Sequence, residues 1–293
     1  MSIYLPSHYV KEYANTIDLL LQQKDSRFSA FVMTGSHSGE QASPVDQYGA
    51  IEMQEVVGRF GPIGRVDAPN DRRWVSPSDF DLPQLVDPRD ELRMITDPKG
   101  KYVQNALAAA NRKKDDIIVD AFFADAKTGK TGTSTTSFLA GNVVAVDEGS
   151  AGNSGLIVAK LRAGKKILLA HEVDQDEEVY MGITAEQHDD LLAQSQIIST
   201  DFNDRPVLVD GRVMRFMGVN FIHSERLPVD GNGYRRCPMW VKSGMHLGTW
   251  EDVVTDIDRR KDLSGLPWQA YLKMSMGATR TEEKKIVEVK CAE

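Results

Sequence analysis

The sequence predicts an α+β protein assembled from parts that cannot stand alone. Three observations carry this. A lone amphipathic helix opens the chain and precedes a long stretch with little helical periodicity. One unusually long helix follows. Beyond it, short β-rich runs and helices mix to the end. The chain has 293 residues, 41% hydrophobic and 27% charged, which is ample for a sizeable core.

The first helix follows Ser7, a suitable N-cap, and runs to about Lys24. Val10, Tyr13, Ala14, Ile17, Leu20 and Leu21 fall on one face, and Lys11, Glu12, Asn15 and Asp18 on the other. An isolated helix of this kind needs a surface to cover, on its own domain or on a neighbour. From Gly35 to Asp87 turn formers dominate. Gly35–Gly39 reads as a loop, Gly61–Gly64 and Asp67–Asp71 as turns, and Glu55–Phe60 and Arg72–Val75 as strands. So long a stretch suits an extended two-stranded projection, which is marginal alone and must lie on something. No lysine occurs between Asp25 and Pro98, whereas Arg27, Arg59, Arg65, Arg72, Arg73, Arg89 and Arg93 do. Arginine is suited to planar, two-pronged pairing with carboxylates.

Asp97 and Pro98 form a strong helix start. Val103, Ala106, Leu107, Ala110, Ile117, Ile118, Ala121 and Phe122 continue it to Ala124. At ~1.5 Å per residue such a helix is roughly 40 Å long, which suits a spine. Lys127–Ser137 reads as a Gly/Thr/Ser loop and Asn142–Asp147 as a strand. A helix begins at Ser154, a strand covers Tyr180–Ile183, and Thr184–Gln187 has capping-box form. Asp210-Gly211 reads as a hairpin turn. Strands are expected at Arg212–His223, Met239–Val241, Met245–Leu247, Trp268–Met276 and Ile286–Lys290, with a helix at Trp250–Asp258 and a polar turn at Thr279–Lys284.

The search for chemistry returns nothing specific. Ala124–Thr131 resembles a phosphate-binding loop, but such a loop needs a strand before it and a helix after it, and here a long helix precedes it. The six histidines, among them His37, His171, His188 and His246, show no metal-ligand spacing. Ser36, His37 and Glu40 are neighbours in sequence, which is not triad geometry. The acidic run Asp174–Glu178 lacks the EF-hand pattern and reads as a solvated turn. Cys237 and Cys291 are distant in sequence and read as reduced thiols of a cytoplasm-made protein, with a bridge between subunits as the alternative. The net charge of -8 argues against gripping nucleic acid through an overall basic field. No apolar run spans a bilayer, and no secretory signal opens the chain. The expectation is therefore no enzyme, no cofactor and no catalytic or metal-binding residue.

Five runs carry a resemblance: Ser7–Tyr13, Val66–Val75, Ser199–Pro206, Ser243–Gly248 and Gly277–Arg280. They resemble the major capsid proteins of tailed bacteriophages, and with the order of elements they cover nearly the whole chain. The resemblance implies the Hong Kong 97-type capsid fold. It implies an N-terminal arm over 1–34, an extended loop over 35–95 and a peripheral domain with the spine helix over 96–145. An axial domain over 146–262 and a return to the peripheral domain over 263–293 complete it. It further implies self-assembly into hexamers and pentamers of an icosahedral shell around double-stranded DNA, in a virion made in the host cytoplasm. Its partners would be a scaffolding protein, expected to be a separate chain, a portal at one vertex and in some members a decoration protein, with no membrane. The same fold serves encapsulin-like compartments, and a phosphate-loop hydrolase is the remaining competitor. Some family members weld the shell by isopeptide bonds from a lysine in the extended loop. That loop is lysine-free here, so no weld is expected and stability should come from burial and arginine–carboxylate pairs. Candidate inter-subunit contacts are Arg59, Arg65, Arg72, Arg73, Trp74, Tyr9 and Tyr13, led by Arg72 and Arg73.

Overall fold

A computed structural model describes residues 22–55, 64–86, 99–194 and 213–293, with side chains in the long helix from residue 103. In chain order come β1 (Met33–Ser36), β2 (Ala42–Tyr48), β3 (Asn70–Val75), β4 (Ser78–Val86), α1 (Lys99–Phe123), β5 (Ala126–Thr128), β6 (Ser134–Thr136) and β7 (Val143–Val144). Then follow α2 (Val158–Ala170), β8 (Val179–Ile183), α3 (Ala185–Ala193), β9 (Arg215–Phe216), β10 (Val219–His223), β11 (Arg235–Val241), β12 (Met245–Arg259), β13 (Trp268–Arg280) and β14 (Ile286–Cys291). Residues 7–21 of the expected first helix, the Val56–Phe60 part of the Glu55–Phe60 strand, 61–63 of the Gly61–Gly64 turn, Asp97-Pro98, the Ser199–Pro206 run and Asp210-Gly211 lie outside the described residues; Gln22–Lys24, described, are not helical.

Among the described residues the strands form three sheets, ordered β1-β12-β13-β4, β7-β14-β11-β8-β10-β9 and β2-β3-β5-β6. The main core lies in and around the six-stranded sheet. Trp240 is fully buried, with Phe28, Phe122 and Tyr180 rings at 5.9, 4.7 and 6.0 Å and its indole N–H on the Phe31 carbonyl at 3.0 Å. Gly164 of α2 lets that helix approach the sheet, because a Cβ there would sit 3.0 Å from the Met239 side chain. A second, smaller core forms where alanines of α1 meet the β13 face: Ala106 and Ala110 pack with Leu272, Met274 and Met276. Small side chains allow the helix to lie close along the sheet. Leu107, by contrast, points to solvent.

The middle of α1 joins separate regions through one polar block. Asn111 and Arg112 donate to the Lys24 carbonyl and to Gln22 and Gln23, at 2.9, 2.7 and 3.1 Å. Lys113 stands 4.7 Å over the Phe80 ring of β4, and Lys114 pairs with Asp252 of β12 at 3.0 Å. Asp115 is fully buried, and its carboxylate accepts the Arg27 and Phe28 N–H groups, the Ser26 hydroxyl and the Gln23 amide. Four donors make that buried charge tolerable. Asp116 makes a two-pronged pair with Arg226.

Several expectations are corrected. Trp250–Asp258 is strand, the later part of β12, not helix. Its β-branched Val253, Val254, Thr255 and Ile257 suit a pleated surface, and register shifts between Thr249 and Val254 hide the alternation. Lys127–Ser137 is a hairpin of β5 and β6, with Gly129 and Gly132 in the left-handed region between them. Gly35 and Ser36 end a strand rather than belonging to a loop. The helix expected from Ser154 begins at Val158, because Ser154 N–H on the Val146 carbonyl and Leu156 N–H on Asp190 hold the preceding residues out of helix, with Ile157 extended as N-cap. The strand expected over Arg212–His223 is broken by a tight turn at Met217-Gly218, both with positive φ. Only Val143–Val144 of the expected Asn142–Asp147 strand pairs. β4 was not foreseen as a partner of β13. The capping box at Thr184 forms, its N–H on Gln187 Oε1 at 3.0 Å.

Candidate assembly surface

β2 and β3 make an antiparallel ribbon joined by residues 49–69, with Asp46 opposite Arg72 and Val45 opposite Arg73. The ribbon's free end carries apolar side chains into solvent: Tyr48 is 76% exposed, Ile51 61% and Met53 fully. Val66 on the returning segment is also exposed. Burying such side chains is favourable by roughly 1.5–3 kcal/mol each, so a surface that leaves them out is one awaiting cover.

The root of the ribbon is closed by contrast. Val75 lies against Gly248 and Gly277, where an added Cβ would meet its side chain at 3.3 and 3.1 Å, and a Cβ at Gly277 would strike the Ser76 carbonyl at 2.2 Å. Asp71 accepts the Thr128 hydroxyl and the Gly129 N–H, the latter at 3.0 Å. The hydroxyl, with the backbone N–H groups of Arg72 and Gly129, lowers the pKa of the exposed Asp71 against a smaller opposing desolvation. Trp74 donates its indole N–H to the Gly129 carbonyl at 2.7 Å. The resemblance-bearing runs Val66–Val75, Ser243–Gly248 and Gly277–Arg280 thus converge here. Arg280 completes the joint: it is fully buried and donates to the carbonyls of Phe122, at the end of α1, and Thr136, on β6, at 3.0 and 3.1 Å. A cation suits a helix C-terminus.

The expected arginines divide. Arg72 pairs with Asp46 across the ribbon through its Nε and Nη2, at 2.5 and 3.2 Å, and stands 5.7 Å over the Trp74 ring. The pair lowers the Asp46 pKa and raises that of Arg72. It is exposed and remains open to a neighbour. Arg65 is more exposed still, with Asp67 at 3.2 Å. Arg73 is only 3% exposed and bonds the Thr281 carbonyl and Glu283 of its own chain. Its guanidinium is engaged within the chain and secures the root. Trp74 is half-buried there too. Arg59, Tyr9 and Tyr13 lie outside the described residues. Sequence reasoning missed Tyr48, Ile51 and Met53, whose signal was apolar side chains inside a turn-rich stretch.

The phosphate-loop reading has no support in this geometry. Gly129 N–H already holds the Asp71 carboxylate, and a strand, not a helix, follows. Among the described residues no group of three or more His, Cys, Asp or Glu is placed to hold a metal, and no helix is long and apolar enough to cross a membrane. Both cysteines are free and fully buried, which removes them from any bridge between subunits.

The sequence model of the phage capsid protein family matches residues 5–293. No curated protein matches the chain. Among solved structures, the capsid of cyanophage P-SCSP1u is 14% identical and superposes with a TM-score of 0.76, covering 97% of this chain and 93% of that one. The cyanophage Pam1 capsid is 12% identical with a TM-score of 0.77, over 99% and 98%. The capsid of Ralstonia phage GP4 is 10% identical with a TM-score of 0.71, over 100% and 98%. At such identities these likenesses show the Hong Kong 97-type fold, and the family match supplies the kinship. The chain therefore belongs to the phage capsid protein family, as a major capsid protein of the phage head shell.

Proposed function

We propose that copies of this chain close into an icosahedral shell of hexamers and pentamers around the double-stranded DNA of a tailed phage, as a structural protein without catalytic activity. The observation that carries this reading is the ribbon of β2 and β3, rigid at its root and apolar at its free end. Tyr48, Ile51 and Met53 find their cover on a neighbouring copy, and the exposed Arg65 and Arg72 pair with that neighbour's carboxylates. Arg59, Tyr9 and Tyr13 belong to the same proposed contact set.

The domain reading follows with one adjustment. The spine helix α1 and the β12–β13–β4 sheet form the peripheral unit, so a boundary at 262 would divide the β12–β13 hairpin. The axial unit is better taken as the six-stranded sheet region that β12 leaves. A scaffolding protein, a portal at one vertex and a decoration protein are the partners this role calls for, with assembly in the host cytoplasm. The phage family match favours a genome shell over an encapsulin-like compartment.

Electron microscopy of the protein assembled with its scaffolding partner tests the proposal. Closed isometric particles with six- and five-fold clusters are expected; persistent monomers would overturn it. The same particles, denatured, should run as monomers on a gel, because residues 26–98 contain no lysine for a weld. A covalent ladder would overturn that part.

A further inference from the structure

The imidazoles of His37 and His246 meet at the root of the ribbon, 209 residues apart in sequence. Their Nε2 atoms are 2.8 Å apart and their ring centroids 5.1 Å. His246 is buried, and its Nδ1 has no hydrogen-bond partner among the described residues. Trp250 lies against His37 at 5.3 Å. The surrounding backbone is shaped to admit the pair. Gly35 of β1 and Gly248 of β12 are direct partners in a parallel register. A Cβ on Gly35 would meet His246 Cε1 at 2.9 Å, and one on Gly248 would meet His37 Cδ2 at 2.8 Å. Two facing glycines therefore make the space that two imidazoles fill.

We propose that this pair is an acid-opened clasp holding β1, and with it the departure of the β2–β3 ribbon, to the long β12–β13 hairpin. In the neutral pair one ring donates an N–H to the lone pair of the other. With both rings charged, N–H faces N–H and two cations meet at contact distance, so the contact must open. No carboxylate within the described residues bonds either ring. On the neighbouring strands His246 stands beside Met33 of β1 and Thr279 of β13, and Gly248 beside Gly35 and Gly277, with Val75 of β3 close to Gly248 and Gly277. Arg73 is held by Glu283; on β12, Glu251 pairs with Lys273 and Asp252 with Lys114, while Glu40 is exposed. Nothing there is placed to stabilise a second positive charge.

Burial, then the neighbouring His37, push His246 down to about 4. The sign follows. The neutral form is the one the fold favours, so the clasp contributes fully above the ordinary histidine value of about 6.5. That contribution is lost as pH falls from there through about 4.

The proposal concerns one chain and does not depend on the shell reading, so the purified full chain is the sample. Amide hydrogen exchange, corrected for the intrinsic pH dependence, is measured over residues 33–39, 245–250 and 286–291. Between pH 7 and about pH 4.5, protection of the first two segments should fall about tenfold while the third keeps its own. His37→Phe keeps an aromatic face for Trp250 but removes the second imidazole; burial of His246 remains, so the variant should still lose some protection at the lower pH, but clearly less than the parent. Equal loss in the variant, or none in the parent, would overturn the clasp. If His37→Phe does not fold, His37→Gln replaces it and the same two results decide.

Discussion

The six-stranded sheet and the β2–β3 ribbon are both made of short strands, yet they end in opposite conditions. In the sheet, Met239, Trp240 and Val241 are fully buried on β11, with α2, Phe28 and Phe122 as cover. In the ribbon, burial stops at the root: Arg73 and Val75 are buried, while Tyr48, Ile51 and Met53 beyond it are not. One region completes itself. The other is stable at one end and unfinished at the other, which is what a subunit that must fold before it assembles requires. The difference teaches where a mutation should be felt: in the chain itself, or only in the particle.

Three variants test this division, in order of expected effect on the chain. Trp240→Ala removes the centre of the aromatic cluster and should cost about 3–5 kcal/mol, seen in chemical unfolding of the unassembled chain. Stability close to the parent's would show that the sheet region is not the self-sufficient half. Arg73→Met leaves the largely buried Glu283 with only Arg280, at 4.0 Å, and should cost roughly 3 kcal/mol in the same assay. If it instead left unfolding unchanged and abolished particles, Arg73 would belong to the interface after all. Ile51→Ser with Met53→Ser should shift unfolding by no more than about 0.5 kcal/mol. Counted by microscopy, particles of this double variant should nonetheless fall about tenfold or more. Normal particle numbers would remove the free end of the ribbon from the assembly surface.

The legibility of the sequence followed the range of the interactions. α1 was readable because its signal is local: apolar residues at helical spacing, found as Lys99–Phe123. The Thr184 capping box was readable for the same reason. β4 was not, since its pairing with β13 joins residues about 190 positions apart and its Asp79, Asp81 and Pro83 resemble a loop. The same held for Asp115, which looked like one more charge on a polar helix face and is a buried acceptor for residues 23–28. Of the candidate contacts, Arg72 and Arg73 are adjacent in sequence but point to opposite faces of the strand, one to Asp46 and one to Glu283. The alternation of a strand separated what their chemistry made look alike.

The block Asn111–Asp116 has a mechanical consequence. Six residues of α1 are tied to the segment at 22–28, to β4 and β12, and to the loop bearing Arg226. Tension entering from residues 22–28 meets a stiff helix side-on and is divided there between two directions. The polar ties of α1 gather in this one turn and a half, while its apolar packing on β13 lies before it and the Phe122–Arg280 joint after it. A charge change within the block would therefore be felt by segments far apart in sequence.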